Sequence, residues 1–126
     1  MKQVLILEDN ELTRNKLIRI IKSMEQKVNV HAFSGEEEAL GFALTHRIDL
    51  FMVDIILHPK KRNDFSGITF VERIRECPFC ARAEIVFITS LAGLEVDLLH
   101  RVHCYDYIEK PIDEERVKRL MDEIIN

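Results

Sequence analysis

Leu50-Phe51-Met52-Val53-Asp54 is a run of four apolar residues halted by a carboxylate, and Val4-Leu5-Ile6-Leu7-Glu8-Asp9-Asn10 repeats the pattern near the start of the chain. A short, unbroken apolar run bounded by polar residues reads as a strand buried on both faces, the kind that a parallel sheet covered by helices requires. Both strands end in acid. Between them, apolar residues from Glu11 to Met24 recur at Leu12, Leu17, Ile20, Ile21 and Met24, near helical spacing. Val28 to Phe33 reads as a second strand, and Ser34-Gly35-Glu36-Glu37 as a capping box opening a helix through Leu44.

Beyond Asp54, a polar and basic loop from Ile55 to Ser66 precedes Gly67 and a helical pattern at Ile68, Val71 and Ile74. Glu84-Ile85-Val86-Phe87-Ile88 is a further buried strand finishing in Thr89-Ser90. A less regular helix is expected over about Leu94 to Val102, a fifth strand over Cys104 to Ile108, and a last helix from about Asp113, its N-cap. Strict alternation of strand and helix implies right-handed crossovers, hence an α/β, doubly wound, five-stranded parallel sheet with five helices.

The composition agrees. The chain has 126 residues, expected to form one domain over 1–126, with 47% hydrophobic and 32% charged residues. Eighteen Lys and Arg against 22 Asp and Glu give a net charge of −4, which argues against direct nucleic-acid binding. No apolar run approaches the roughly 18 residues that span a bilayer, so no membrane partner and a cytoplasmic location are expected. Cys77, Cys80 and Cys104 are odd in number and sparse, which suits a reducing compartment.

In a doubly wound sheet, ligands sit outside the carboxyl ends of the strands. Those ends present Glu8 and Asp9, then Asp54, then Thr89, then Lys110. Any one of them alone would serve as a cap or turn residue; together they make three carboxylates, a hydroxyl and an ammonium at one edge. Crowded carboxylates raise one another's pKa, and an oxygen-seeking divalent cation and a lysine both relieve that cost, which points to Mg2+. With few protein ligands, the ion keeps positions for water and a phosphoryl group, and Asp54 becomes a candidate nucleophile toward phosphorus.

These residues resemble the receiver domain of bacterial two-component response regulators over essentially the whole chain, which implies the flavodoxin-like receiver fold with strand order 2-1-3-4-5. Leu7-Glu8-Asp9-Asn10 is similar to the family's acidic pair, Val53-Asp54 to its phosphoacceptor, Ile88-Thr89-Ser90 to its switch hydroxyl, and Tyr105-Asp106-Tyr107-Ile108-Glu109-Lys110-Pro111 to its Lys-Pro segment. The resemblance implies a signalling switch rather than an enzyme acting on a separate substrate: a sensor histidine kinase donates a phosphoryl group to Asp54, and the domain assists its own phosphorylation and dephosphorylation. It further implies that Asp9, Asp54, the backbone carbonyl of Ile56 and, directly or through water, Glu8 hold Mg2+. Lys110 would pair with the phosphoryl group, aimed by a cis bond to Pro111. Thr89 and Tyr107 would carry the switch to the surface of the fourth helix, fifth strand and fifth helix, which would engage an output domain, a target protein or a second copy. Phe51 to Leu57 and Tyr105 to Ile108 look like receivers that precede LytTR-type DNA-binding domains, so both a piece of a transcription regulator and a stand-alone receiver stay open.

Three departures from the common pattern stand out. The loop from Asp54 to Gly67 is long and basic at Lys60-Lys61-Arg62, either a solvated insertion or a steering patch for an acidic partner. Ile56 and Leu91 are apolar where relatives often orient water, which predicts a long-lived aspartyl phosphate. Cys77-Pro78-Phe79-Cys80, with His100, His103 and Cys104, permits a zinc or redox site at the far edge, although packing explains the cysteines more simply. A receiver-like docking module that never takes phosphate is the alternative function. A flavodoxin-like cofactor binder lacks its phosphate loop here, and a haloacid-dehalogenase-type phosphatase would want an acid where Ile56 stands.

Overall fold

The four strongest apolar stretches become strands, and their side-chain alternation sorts the core. The computed structural model describes residues 1–58, 60, 64–90 and 102–125. Within them lie β1 (Lys2–Leu7), α1 (Glu11–Ser23), β2 (Val28–Phe33), α2 (Glu36–Ala43), β3 (Leu50–Asp54), α3 (Ser66–Arg75), β4 (Glu84–Thr89), β5 (Asp106–Glu109) and the C-terminal helix α4 (Glu114–Ile125). The sheet is parallel throughout, as the alternation of elements predicts, and its order β2-β1-β3-β4-β5 is the one the family resemblance implies. The helix expected over about Leu94 to Val102 lies almost wholly outside the described residues, as do Leu91, His100 and most of the basic insertion.

Successive residues in a strand face opposite sides, so each buried strand feeds two cores. Leu5, Leu7, Phe51, Val53, Ile85 and Phe87 join the layer beneath α2 and α3. Val4, Ile6, Leu50, Met52, Val86 and Ile88 join the layer beneath α1 and α4. The register pairs Val4 with Leu50 and Leu50 with Glu84, which keeps like-facing residues abreast. The three central strands thereby end level, with Leu7 beside Val53 and Asp54 beside Ile88.

Two boundaries differ from expectation. Ser34 does not cap α2: the N-cap is Gly35, with no side-chain cap bond, and the first intrahelical bond runs from the Ala39 amide to the Gly35 carbonyl at 3.2 Å. The helix starts one residue later than a Ser34–Glu37 box requires, and Glu36, Glu37 and Glu38 in its first turn complement the helix dipole instead. β5 starts at Asp106 rather than Cys104, although the Tyr105 amide already bonds the Ile85 carbonyl of β4 at 2.7 Å; the residues just before Cys104 are held by Arg75. Arg75 donates to the carbonyls of Val102 (3.1 Å), His103 (2.8 Å), Ala81 (3.0 Å) and Ala83 (2.7 Å), and His103 adopts a left-handed φ of 56°. By contrast, Asp113 caps α4 as expected, its side chain accepting from the Glu115 amide at 3.1 Å.

One guanidinium thus ties the end of α3 to the approaches of both β4 and β5. Charge-assisted bonds of this kind contribute more than neutral ones, so Arg75→Ala is expected to cost about 2–3 kcal/mol in urea denaturation. Arg75→Lys, unable to reproduce the fork, should recover only part of it. An unchanged midpoint in Arg75→Ala would show the clamp to be dispensable.

Candidate functional site

Level strand ends bring the acidic residues together. Glu8 follows β1 and its amide bonds the Phe33 carbonyl at 3.0 Å, which continues the ladder one step and buries the side chain. Asn10 then caps α1 by accepting from the Thr13 amide at 2.9 Å, so the acidic pair sits at the junction of strand and helix. Asp54 ends β3 in the buried interior of the sheet, 3% exposed, and its Oδ1 accepts from the Ile56 amide at 3.1 Å. Lys110 follows β5 and is held by its own amide on the Thr89 carbonyl at 2.8 Å. The Lys110–Pro111 bond is cis, as the family resemblance implies.

The side chains converge. Lys110 Nζ lies 2.7 Å from Glu8 Oε1 and 3.2 Å from Asp54 Oδ2. One carboxylate oxygen from each of Glu8, Asp9 and Asp54 lies within 4.8 Å of the others, the one such group able to share an ion among the described residues. Glu8 is fully buried and its Oε1, despite the ionic contact, has no aligned hydrogen bond. A buried anionic oxygen in that state, beside two further carboxylates, fits a hard divalent cation such as Mg2+.

The electrostatics show the same crowding. Burial, reinforced by hydrogen bonding and repulsion from Glu8, pushes Asp54 up to about 8. Burial and Glu8 also raise Asp9. Burial acts on Glu8 in the same sense, but its hydrogen bond with Asp54 and the Lys110 ammonium outweigh it and hold Glu8 below the usual range. Lys110 is disfavoured by burial yet held above its ordinary value by Glu8 and Asp54. In the ion-free protein, the crowding of the three acids therefore falls hardest on Asp54.

The other expected positions are distributed unevenly. Thr89 is buried at the end of β4, one residue beyond Ile88, the register partner of Asp54. Ile56 touches the site through its amide, while its half-buried side chain packs on the α2–α3 core. Tyr107 lies opposite Phe87 on β5 with 37% of its surface exposed, and its carbonyl accepts from Arg116 at 3.2 Å. Cys77 and Cys80 are buried at the far edge, both thiols directed at the Ala43 carbonyl, and burial with Cys77 nearby pushes the Cys80 thiol up to about 11. This is the behaviour of packing residues rather than of reactive thiolates.

Sequence reasoning missed two supports. Arg14 donates to the carbonyls of Glu8 (2.9 Å) and Asp9 (3.4 Å), fixing the acidic pair from α1. Lys16 donates to the Ile112 carbonyl at 2.6 Å, tying α1 to the segment just after Pro111. In the sequence both look like members of a solvated helix face, and nothing in their spacing distinguishes them.

Comparison with known proteins agrees with this geometry. The family model for the response regulator receiver domain matches residues 4–122. The chain is 26% identical over 121 residues to the sensory transduction protein LytT of Bacillus subtilis, covering 96% of this chain and 47% of that protein. It is 27% identical over 122 residues to the transcriptional regulatory protein YpdB of Escherichia coli K12, covering 97% and 47%. The chain spans about half the length of these curated relatives. Among solved structures, the Vibrio cholerae chemotaxis protein CheY4 superposes with a TM-score of 0.83 at 19% identity, covering 98% of each chain. The signal receiver domain of a modulated diguanylate cyclase from Desulfovibrio desulfuricans gives 0.79 at 29% identity, covering 99% of this chain and 94% of that one. With its acids, lysine and strand order in the arrangement described, this chain belongs to the response regulator receiver domain family.

Proposed function

We propose that this domain is a phosphorylation-dependent switch whose Asp54 takes a phosphoryl group from the phosphohistidine of a sensor histidine kinase. The observation that carries the reading is the buried Asp54 carboxylate, 3.2 Å from the Lys110 ammonium and clustered with Glu8 and Asp9. An Asp54 oxygen attacks phosphorus, the phosphorus–nitrogen bond to the donor imidazole breaks, and Lys110 neutralises charge on the transferred group. Glu8, Asp9, Asp54 and the Ile56 carbonyl would hold Mg2+, which supplies further charge neutralisation at the phosphoryl oxygens. Arg14 and the cap at Asn10 keep the acidic pair from shifting as that charge changes.

The new acyl phosphate draws the Thr89 hydroxyl toward it, Tyr107 turns inward from its exposed position, and the surface of β5 and α4 changes with it. An output domain, a target protein or a second copy reads that surface. Phosphoramidate with Mg2+ should add the mass of one phosphoryl group, and a chelator should prevent it. No adduct from small donors or from a phosphorylated kinase domain would sink the proposal and favour a docking module.

Ile56 bears on how long the signal lasts. Its apolar side chain packs on the core and offers nothing to orient water. Ile56→Gln is expected to shorten the aspartyl phosphate lifetime by about threefold or more, read by the decay of intact mass after donor removal. An unchanged lifetime would show that water is positioned by some other group.

A further inference from the structure

The opposite edge of the sheet, where the strands begin, carries a second surface of contrary charge. A groove of about 570 Å3 there is lined by Lys2, Lys27, Arg47 and Ile125, among others. A second, of about 310 Å3, is lined by Arg47, Arg82, Pro78 and Phe79. Arg47 and Asp49 belong to both, so the two run together. Lys2, Lys27, Arg47 and Arg82 make no ion pair and no side-chain hydrogen bond among the described residues. Asp49 is the one carboxylate lining either groove, and it is engaged by the Gln3 amide at 2.7 Å. Just outside, Asp122 is engaged by the Gln26 side chain at 2.7 Å. Four unpaired cations therefore gather on a domain whose overall charge is −4, with exposed Glu84, whose amide bonds the Asp49 carbonyl at 3.0 Å, as a nearby acid.

Cations of this kind on an otherwise acidic protein create a local positive field that selects an anionic partner. The accompanying side chains narrow the choice. Phe79 is 58% exposed beside Arg82, an aromatic that packing alone would have buried, and Ile125 lies half-buried at the other end of the surface. Aromatic anchors ringed by arginines are the composition of protein-binding surfaces. A long polyanion would meet the repulsion of the remaining surface, whereas a short segment would not. We propose that this edge docks a short acidic peptide segment of a partner protein, its carboxylates on Lys2, Lys27, Arg47 and Arg82 and an apolar side chain against Phe79.

The surface lies at the opposite ends of the strands from Asp54, so its occupation is separable from phosphotransfer. The probe is a short fluorescein-labelled peptide alternating Glu with Leu and Phe, titrated by fluorescence anisotropy at low and high salt. Saturable binding that weakens about tenfold or more in Arg47→Glu/Arg82→Glu, and also in Phe79→Ser, supports the proposal. The variants should keep the wild-type melting temperature and label normally with phosphoramidate, which separates failure of this surface from failure of the phosphoacceptor site. A peptide with Lys in place of Glu should not bind. Absence of saturable binding by the wild-type protein, equal affinity in the variants, or tighter binding of single-stranded DNA of similar length would each overturn it.

Discussion

Gly67→Ala is expected to destabilise the domain by about 2–3 kcal/mol and to cut phosphoramidate labelling of Asp54 severely. A Cβ at Gly67 would overlap the Asp54 carbonyl oxygen and stand 2.8 Å from the Asp54 carbonyl carbon and the Ile55 Cα. Those are backbone atoms at the end of β3, so no rotamer change relieves the overlap. Alanine gains up to about 1 kcal/mol over glycine in a helix and loses less chain entropy on folding, which opposes the effect. The overlap wins because either α3 or the end of β3 must move. The Gly67 amide bonds the Ile55 carbonyl at 2.9 Å, and the Ile55 amide bonds the Ile88 carbonyl at 3.0 Å, so a shift travels directly into the strand that aims Asp54. Urea denaturation with intact-mass labelling tests both parts. A variant as stable and as readily labelled as wild type would refute the close approach of α3 to the site.

Asp54→Asn is expected to abolish phosphoryl transfer while stabilising the ion-free fold. The first effect follows if Asp54 is the nucleophile, since an amide oxygen forms no stable acyl phosphate. The second follows from crowding. The folded state holds a proton on Asp54 up to about pH 8, whereas the unfolded chain releases it in the ordinary carboxylate range. Between those values the native protein binds more protons than the unfolded one, so stability falls as pH rises through that window. Glu8, held below its usual range, contributes in the opposite sense at lower pH, and Lys110 offsets part of the repulsion. The net gain on replacing Asp54 with Asn should be on the order of 2 kcal/mol near pH 8, shrinking toward pH 4.

Mg2+ should show the converse. It is expected to raise the melting temperature of the wild-type protein by mass action and to do so far less in Asp54→Asn. Thermal melts across pH, with and without Mg2+, check each part. An Asp54→Asn variant that is less stable than wild type at pH 8 without Mg2+ would mean that the three acids do not repel as their separation implies.

The sequence is not equally legible along the chain. Val4–Leu7 and Leu50–Val53 declare β1 and β3 because strands buried on both faces need unbroken apolar runs, and few other uses of such short runs exist. The parallel, doubly wound sheet follows from the alternation of elements, and from it the gathering of Glu8, Asp9, Asp54, Thr89 and Lys110 at the carboxyl edge, whereas the strand order came only with the family resemblance. Element ends were less legible. The start of α2 depends on which of Ser34 and Gly35 provides the first helical carbonyl, and the backbone that leads into β5 is held by Arg75, which lies 27 residues from one of the carbonyls it captures.

The sequence by itself determined the fold class and the roster of acidic, hydroxyl and lysine residues, because periodicity and the chemistry of strand ends are local properties, while the sheet order was legible only through the family resemblance. Only the tertiary structure decided that burial and Glu8 raise Asp54, that Arg14 and Lys16 brace the site, that Gly67 admits no side chain, and that four unpaired cations share the far edge. Each of these depends on separations of a few ångströms between segments remote in the chain, where electrostatic energies and steric overlap change steeply with distance.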